Sequence, residues 1–569
     1  MIMLFLRTVL LAAGICFAPG LVSAQTETAF HYTRKKSVTC KNGAVVSAHP
    51  LASRAGLSML KQGGNAVDAA IATQFALAVV FPGAGNLGGG GFMVIRLSDG
   101  KKISLDFREQ APARSTQDMY LDAQGNPVPG KSLNGHLASG VPGSIAGIFA
   151  ALKYARLPVK KLIQPAITLA EYGFAITAAE ARSLNESADD IKKYNTVTPL
   201  FVKASGWKAG DTLVQKDLAK TLQRIRDAGA KGFYEGETAR LIVEEMQRGK
   251  GLISYDDLKN YKAKEREPMV FSYKKEYSII TMPLPGSGGV LLPQMMRMME
   301  GRNLQAEGFH TVASIHLMTE AERLAYADRA KYLGDPDFFK APVTRLISYS
   351  YLQDRLKNFN PDSAGNSEQV QAGIIPESEE TTHLDTYDRE GNAVSVTTTL
   401  NGWYGCKTVV AGAGFFLNNE MDDFSMKPGV PNMFGAIGGK ANDIRPGKRM
   451  LSSMTPTIVL KNNKPFLVVG TPGGTTIITS VFQTLVNIIE FKLSAADAIN
   501  KPKFHHQWKP DVLYMEKGFP DSVISKLADM GYHIEMRSAI GRTEVIEISS
   551  GGSIEAVADG RGDDAAEGY

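Results

Sequence analysis

Cysteine is scarce in this 569-residue chain, which holds only Cys16, Cys40 and Cys406. So few thiols exclude a disulfide scaffold, and the absence of any C-x-x-C excludes the common thiol motifs. Charge of one sign is scarce too. Lys and Arg number 63 against 58 Asp and Glu, a net +5 that is too mild to make nucleic acid or a membrane surface the main partner. No Pro/Gly/Ser-rich linker divides the chain, so one compact body is expected although the length alone would allow three or four domains. There is no G-x-S-x-G, no H-E-x-x-H and no G-x-x-x-x-G-K-[ST]. His505-His506 lacks a carboxylate or cysteine at metal-ligand spacing and is read as structural. Neither a metal nor an organic cofactor is expected.

What is present begins with a leader. Arg7 supplies a short positive region, residues 9–21 an apolar stretch, and Val22-Ser23-Ala24 a small-residue cleavage site before Gln25. The stretch is short for a membrane span and is broken by Gly14 and Pro19. Residues 1–24 are therefore expected to be removed, leaving a periplasmic or secreted protein. The cut takes away Arg7 and Cys16, so the net charge falls from +5 to +4.

The rest of the chain is organised around residues 380–401. Two Thr- and Val-rich runs that alternate apolar and polar flank Arg389-Glu390-Gly391-Asn392, which predicts a hairpin of two half-buried strands. Thr381 heads the first strand. A threonine hydroxyl is a weak nucleophile unless a base stands beside it, and a free α-amine, titrating near neutrality, can be that base. Such chemistry requires the bond after Glu380 to be cut; otherwise Thr381 merely begins a strand. Residues 361–380, polar and without periodicity, predict a loop or tail ending at that bond.

Other stretches read less sharply. Residues 65–80 are apolar nearly all round, predicting a buried helix. Gly83-Ala84-Gly85-Asn86-Leu87-Gly88 matches G-x-G-x-x-G, but here the order is helix, glycines, strand, the reverse of a dinucleotide fingerprint; close backbone packing is the reading kept. Leu105-Asp106-Phe107-Arg108-Glu109 places an arginine at a strand end among acids, either a surface ion pair or a fork for a carboxylate. Residues 310–332 predict a scaffold helix. Asn418-Asn419-Glu420-Met421-Asp422-Asp423 crowds three carboxylates without the spacing of a calcium loop; they are either solvated or set to bind an ammonium. Residues 428–439 predict a mobile surface loop, a lid. Residues 465–470, then Thr471-Pro472-Gly473-Gly474 and a helix, give a strand-glycine-helix turn able to aim backbone N–H groups at negative charge. Arg561-Gly562-Asp563 is read as chance.

Taken in order, these motifs carry a resemblance. The text Asn86-Leu87-Gly88-Gly89-Gly90-Gly91-Phe92, Asp106-Phe107-Arg108-Glu109, Ala325-Tyr326-Ala327-Asp328-Arg329, Thr381-Thr382-His383, Asn418-Asn419-Glu420-Met421-Asp422-Asp423-Phe424, Ser452-Ser453-Met454, Pro472-Gly473-Gly474 and Phe504-His505-His506-Gln507-Trp508 resembles the γ-glutamyltranspeptidase family over nearly the whole mature chain. The resemblance implies an α+β fold, a four-layer αββα sandwich of the N-terminal nucleophile hydrolase type with two antiparallel sheets between helical layers. It implies a precursor that cuts itself between Glu380 and Thr381 into a large subunit, 25–380, and a small subunit, 381–569, which stay intertwined. Thr381 would be the nucleophile and Thr399 would hold it. Arg108, Ser452 and Ser453 would bind the α-carboxylate of a γ-glutamyl group, and Asn401, Glu420 and Asp423 its α-amine. Gly473 and Gly474 would form the oxyanion hole. The substrates implied are glutathione and other γ-glutamyl compounds, with water, an amino acid or a dipeptide as acceptor.

Three departures bear on the details. Phe434 stands in the expected lid where many relatives have tyrosine. Leu384-Asp385-Thr386 replaces the more usual aromatic, hydroxyl and apolar residues after Thr-Thr-His. Ala558-Asp559-Gly560-Arg561 replaces a Ser-Asp-Pro-Arg ending. Two rival readings remain: an acylase of related fold acting on glutaryl-type amides, against which Glu420 and Asp423 speak, and an inactive secreted binding protein on the same scaffold.

Overall fold

Two antiparallel seven-stranded sheets lie face to face and divide the hydrophobic core into three layers. The structure, a computed structural model, describes residues 34–370, 381–427, 432–433 and 439–569. The leader, Glu380, and Phe434 with most of the expected lid lie outside the described residues.

The first sheet has the order Ala565–Gly568, Gly43–Ser47, Thr382–Asp388, Ala393–Thr399, Gly90–Arg96, Lys102–Asp106, Lys264–Arg266. In the second the order is Ser37–Cys40, Ile554–Val557, Glu544–Ile548, Lys464–Gly470, Thr457–Lys461, Tyr277–Thr281, Met269–Tyr273. Each sheet interleaves strands from before and after residue 381. Alternation decides which layer each side chain joins. Val394 and Val396 point outward to the helices Pro50–Lys61, Ala66–Val80 and Ser144–Ala151, whereas Ala393 faces the opposing sheet. Across the gap, Ile458, Leu460 and Val468 face inward, and Val459, Leu467 and Val469 pack against Gly288–Met299, Val312–Tyr332 and Thr476–Ile489. This is the αββα sandwich expected from the sequence.

The hairpin forms where it was expected, as Thr382–Asp388 and Ala393–Thr399, with Gly391 at φ 91° in the turn. It is not half-buried. Every residue of both strands is buried. His383, Asp385, Ser395 and Thr397 face the second sheet rather than water and are hydrogen-bonded among themselves or across to it, while Thr386 and Thr398 on the other face donate to the Ala66 and Gly90 carbonyls. The turn is tied down by Asp388, which accepts from Asn392 N–H at 3.1 Å and from Ala66 N–H at 2.8 Å, at the start of the buried helix Ala66–Val80. That helix is capped by Asn65 and Asp68 in a reciprocal box.

The glycines before Phe92 serve close approach, as read. A Cβ on Gly89 would lie 2.0 Å from the Thr399 carbonyl oxygen, and one on Gly91 2.3 Å from that of Thr397. Cys40 and Cys406 are both buried and unpaired. Among the described residues no helix is long and apolar enough to cross a membrane.

Candidate active site

Thr381 stands immediately before the central hairpin strand Thr382–Asp388 and is only 5% exposed. A small pocket of about 20 Å³ opens beside it. Of the residues singled out by sequence, Thr381, Thr399, Arg108, Asn401, Glu420, Asp423, Ser452, Ser453 and Gly474 all line it. Gly473 instead lines a neighbouring cleft that reaches Thr381 from another side, with Trp403 and Arg542.

Arg108 follows the strand Lys102–Asp106 and is 1% exposed, so the surface ion pair is overturned. Its guanidinium makes close ion pairs with Asp423 and Glu420, and Glu109 stands 3.4 Å away. Burial works against the charge, but Glu420, Asp423 and Glu109 more than offset it and hold Arg108 above its ordinary range. The carboxyls respond in the other direction. Burial pushes Glu420 well above the usual carboxylate range, raises Asp423, and lifts Glu109 to about 8, with Arg108 pulling each back. The acids of the short 3-10 turn Glu420–Asp423 are thus not solvated. They are also not equivalent: Asp422 turns away, accepting from the Ser132 hydroxyl and from Met433 N–H at 2.5 Å each, and burial lifts it to about 7.

Opposite the acids, Ser452 and Ser453 precede the strand Thr457–Lys461. The Ser452 carbonyl accepts from Ser287 N–H and Oγ, both at 2.7 Å, so the segment is pinned to the start of the helix Gly288–Met299. Thr399 Oγ1 accepts the Asn401 N–H at 2.7 Å and its hydroxyl also meets Glu420. Asn401 adopts φ 74° and donates through Nδ2 to the Asn419 carbonyl at 3.0 Å. The glycine pair takes φ 134° at Gly473 and 53° at Gly474, both in the region that favours glycine, just before the helix Thr476–Ile489.

Sequence reasoning missed several lining residues. Arg329, near the end of the helix read as scaffold, donates to Ser453 Oγ at 3.2 Å and to Ser287 Oγ at 3.0 Å. Asn432 donates to Asp423 Oδ1 at 2.8 Å. Thr475, Met454 and Ile477 complete the wall. The signals were an Asp-Arg pair near the end of that helix and the place of Arg329 in the motif Ala325-Tyr326-Ala327-Asp328-Arg329 that carries the resemblance.

No group of three or more His, Cys, Asp or Glu able to hold a metal occurs among the described residues. His505 accepts its place in the core through Gln507 and Thr479, and burial lowers it to about 3 and His506 to about 4, so both are neutral structural groups. Arg561 is tied to Glu516 and Asp559.

Comparison with known proteins agrees with this geometry. A family model described as gamma-glutamyltranspeptidase matches residues 52–569. A glutathione hydrolase proenzyme of Escherichia coli strain K12 is 45% identical over 588 aligned residues, covering 99% of each chain. A cephalosporin acylase of Bacillus halodurans superposes with a TM-score of 0.83 at 26% identity, covering 95% of this chain and 98% of the other. The Helicobacter pylori gamma-glutamyltranspeptidase is 47% identical, with a TM-score of 0.56, over 57% of this chain and 94% of its own. With a family match spanning nearly all of the described residues and the same two-sheet fold in its structural relatives, this chain belongs to the γ-glutamyltranspeptidase family.

Proposed function

We propose that this protein is a γ-glutamyltransferase and glutathione hydrolase, exported behind its leader and made as a precursor that cuts itself between Glu380 and Thr381. The observation that carries the reading is one pocket lined by a buried cation, surplus carboxyls, a hydroxyl pair and Thr381. A zwitterionic amino acid head needs the cation, the carboxyls and the hydroxyls. Its side-chain carbonyl then reaches Thr381.

In this reading Arg108 and the Ser452 and Ser453 hydroxyls take the α-carboxylate, a match for a forked donor. Glu420, Asp423 and the Asn401 side chain take the α-ammonium. Thr381 Oγ attacks the γ-carbonyl while its own freed α-amine accepts the hydroxyl proton. The C–O bond forms, the C–N bond breaks, and the proton passes to the departing nitrogen. The Gly473 and Gly474 N–H groups, at the start of a helix, stabilise the oxyanion. Water or an amine then attacks the ester, giving hydrolysis or transfer. Thr399, through its bond to Asn401, holds the nucleophile's surroundings in register.

The acylase reading draws support from the Bacillus halodurans relative. The Glu420 and Asp423 pair favours the γ-glutamyl reading, because a glutaryl group brings no ammonium to neutralise it. N-terminal sequencing of the purified protein tests the proposal: a second chain beginning at Thr381, with activity on a γ-glutamyl anilide, is expected. In Thr381→Ala both disappear, with turnover down by at least about 10⁴-fold. An intact chain beginning near Gln25 after prolonged incubation would overturn it.

A further inference from the structure

The layer between the two sheets is apolar along most of its extent, filled by residues such as Val46, Phe92, Ile280, Ile458 and Ile546. Near the site it changes character. His383 and Asp385, both fully buried, stand on the strand that begins just after Thr381 and point into this layer. His383 Nε2 lies 2.9 Å from Asp385 Oδ1, and Nδ1 lies 2.9 Å from Thr397 Oγ1 on the neighbouring strand. With Asp385 ionised the carboxylate only accepts, which places the proton on Nε2 and turns Nδ1 to the hydroxyl. Ser395 adds a second tie across the gap, accepting Thr457 N–H at 3.2 Å and donating to the Val469 carbonyl at 3.4 Å.

The far side of the ring meets Gly470. A Cβ built there would lie 2.1 Å from His383 Cε1 and 2.4 Å from Nε2, so the imidazole rests directly on the backbone of the second sheet. Gly470 is the last residue of its strand, three before Gly473. His383 is two residues beyond Thr381. The imidazole therefore bridges the strand that carries the proposed nucleophile and the strand that ends in the proposed oxyanion loop. Apolar contact between sheets is non-directional and tolerates small slips, whereas a hydrogen-bonded ring pressed on a glycine does not.

We propose that Asp385 is a positioning residue: by locking the His383 ring against Gly470 it sets the gap between Thr381 and the Gly473–Gly474 amides. The inference rests on the function proposed above. Without an acceptor at 385 the Nε2–H is buried unpaired, with only the longer approach of Ser395 Oγ at 3.4 Å, and the ring loses its fixed orientation.

Three variants test this on the processed two-chain protein, with a γ-glutamyl anilide as donor. Asp385→Leu, branched at the same carbon but with no acceptor, is expected to fold and process, to lose about tenfold or more in kcat, and to keep KM for the donor within about threefold, because misplacement by a fraction of an ångström costs rate rather than binding. Asp385→Asn keeps an oxygen for Nε2–H and is expected to restore most of the rate. Gly470→Ala, which pushes the ring away, is expected to repeat the kcat loss, and the double variant with Asp385→Leu to lose little more than either alone, the signature of a shared route. A kcat in Asp385→Leu within about twofold of wild type, or a rise in KM that accounts for the loss, would overturn the proposal. So would failure of that variant to accumulate as folded protein, since the pair would then sustain the fold rather than orient the ring. Wild-type protein inactive on the anilide would overturn the function and the positioning role together; an active wild type with unaltered variants overturns the latter alone.

Discussion

Arg108 and Arg449 touch, Arg449 Nε donating to the Arg108 carbonyl at 3.2 Å, yet the charges around them do not balance alike. Arg449 and Arg266 share Asp106, at 3.4 and 2.7 Å, and Arg266 reaches Asp335 and Asp337, which also holds Lys264 at 2.7 Å. Three cations there meet three carboxylates. Around Arg108 the acids are Glu109, Glu420 and Asp423, and even with Arg329 acting on Asp423 two cations face three carboxylates. The balanced cluster joins the end of a strand to the segment after it. In the unbalanced one buried carboxyls outnumber the cations beside a pocket, an arrangement that costs stability and is understandable where a ligand brings an ammonium.

The difference can be broken by exchanging each arginine for methionine. Arg108→Met is expected to lower kcat/KM for a γ-glutamyl donor by about a thousandfold with a small change in denaturation midpoint, because the remaining acids, already above their ordinary range, can hold protons. Arg449→Met should do the reverse. It leaves Asp106 buried beside a lost partner and is expected to cost about 3–5 kcal/mol of stability in urea titration, while the folded fraction keeps its activity. Should both variants fail in the same assay, the two clusters would not be distinct in role.

A pH series sharpens the contrast further. Glu420, Asp423 and Glu109 bind protons more readily than ordinary carboxyls, Glu109 up to about 8. As pH falls through about 8 Glu109 becomes neutral, the raised Glu420 and Asp423 take up protons sooner than ordinary carboxyls do, and a neutral acid is a poor partner for an ammonium. The KM for the donor is therefore expected to rise on acidification, by up to about tenfold per pH unit for one linked proton. A KM independent of pH between 8 and 6 would remove the ammonium from these acids. The smallest effect is expected at the rim of the balanced cluster, where Asp337→Asn breaks half-exposed pairs with Lys264 and Arg266 and should cost under about 1 kcal/mol, with no change in KM.

How far this was legible in the sequence follows from what each signal depends on. The hairpin was legible because alternation and the turn at Gly391 are local. That its polar face is buried was not, since the second sheet that covers it is assembled from strands as distant as Tyr277–Thr281 and Glu544–Ile548. Gly473 and Gly474 could be read as a turn, and the structure adds their left-handed φ values. Arg108 could be seen as an arginine among acids, but its partner Asp423 stands 315 residues away, so burial and charge balance were out of reach of pattern reading. Only the resemblance to a family supplied them. Arg329 escaped because a helix buried all round carries no amphipathic stripe to single out one polar side chain.

The interleaving of strands has a consequence for how such a protein can be made. In the first sheet, Thr382–Asp388 is bonded to Gly43–Ser47 on one side, and Ala393–Thr399 to Gly90–Arg96 on the other. A gene split at codon 381 would yield two polypeptides, neither of which holds a complete sheet of its own, and each would present unpaired strand edges to the cell. Covalent continuity brings those strands together, so the cut proposed after Glu380 would come late, within an already assembled body.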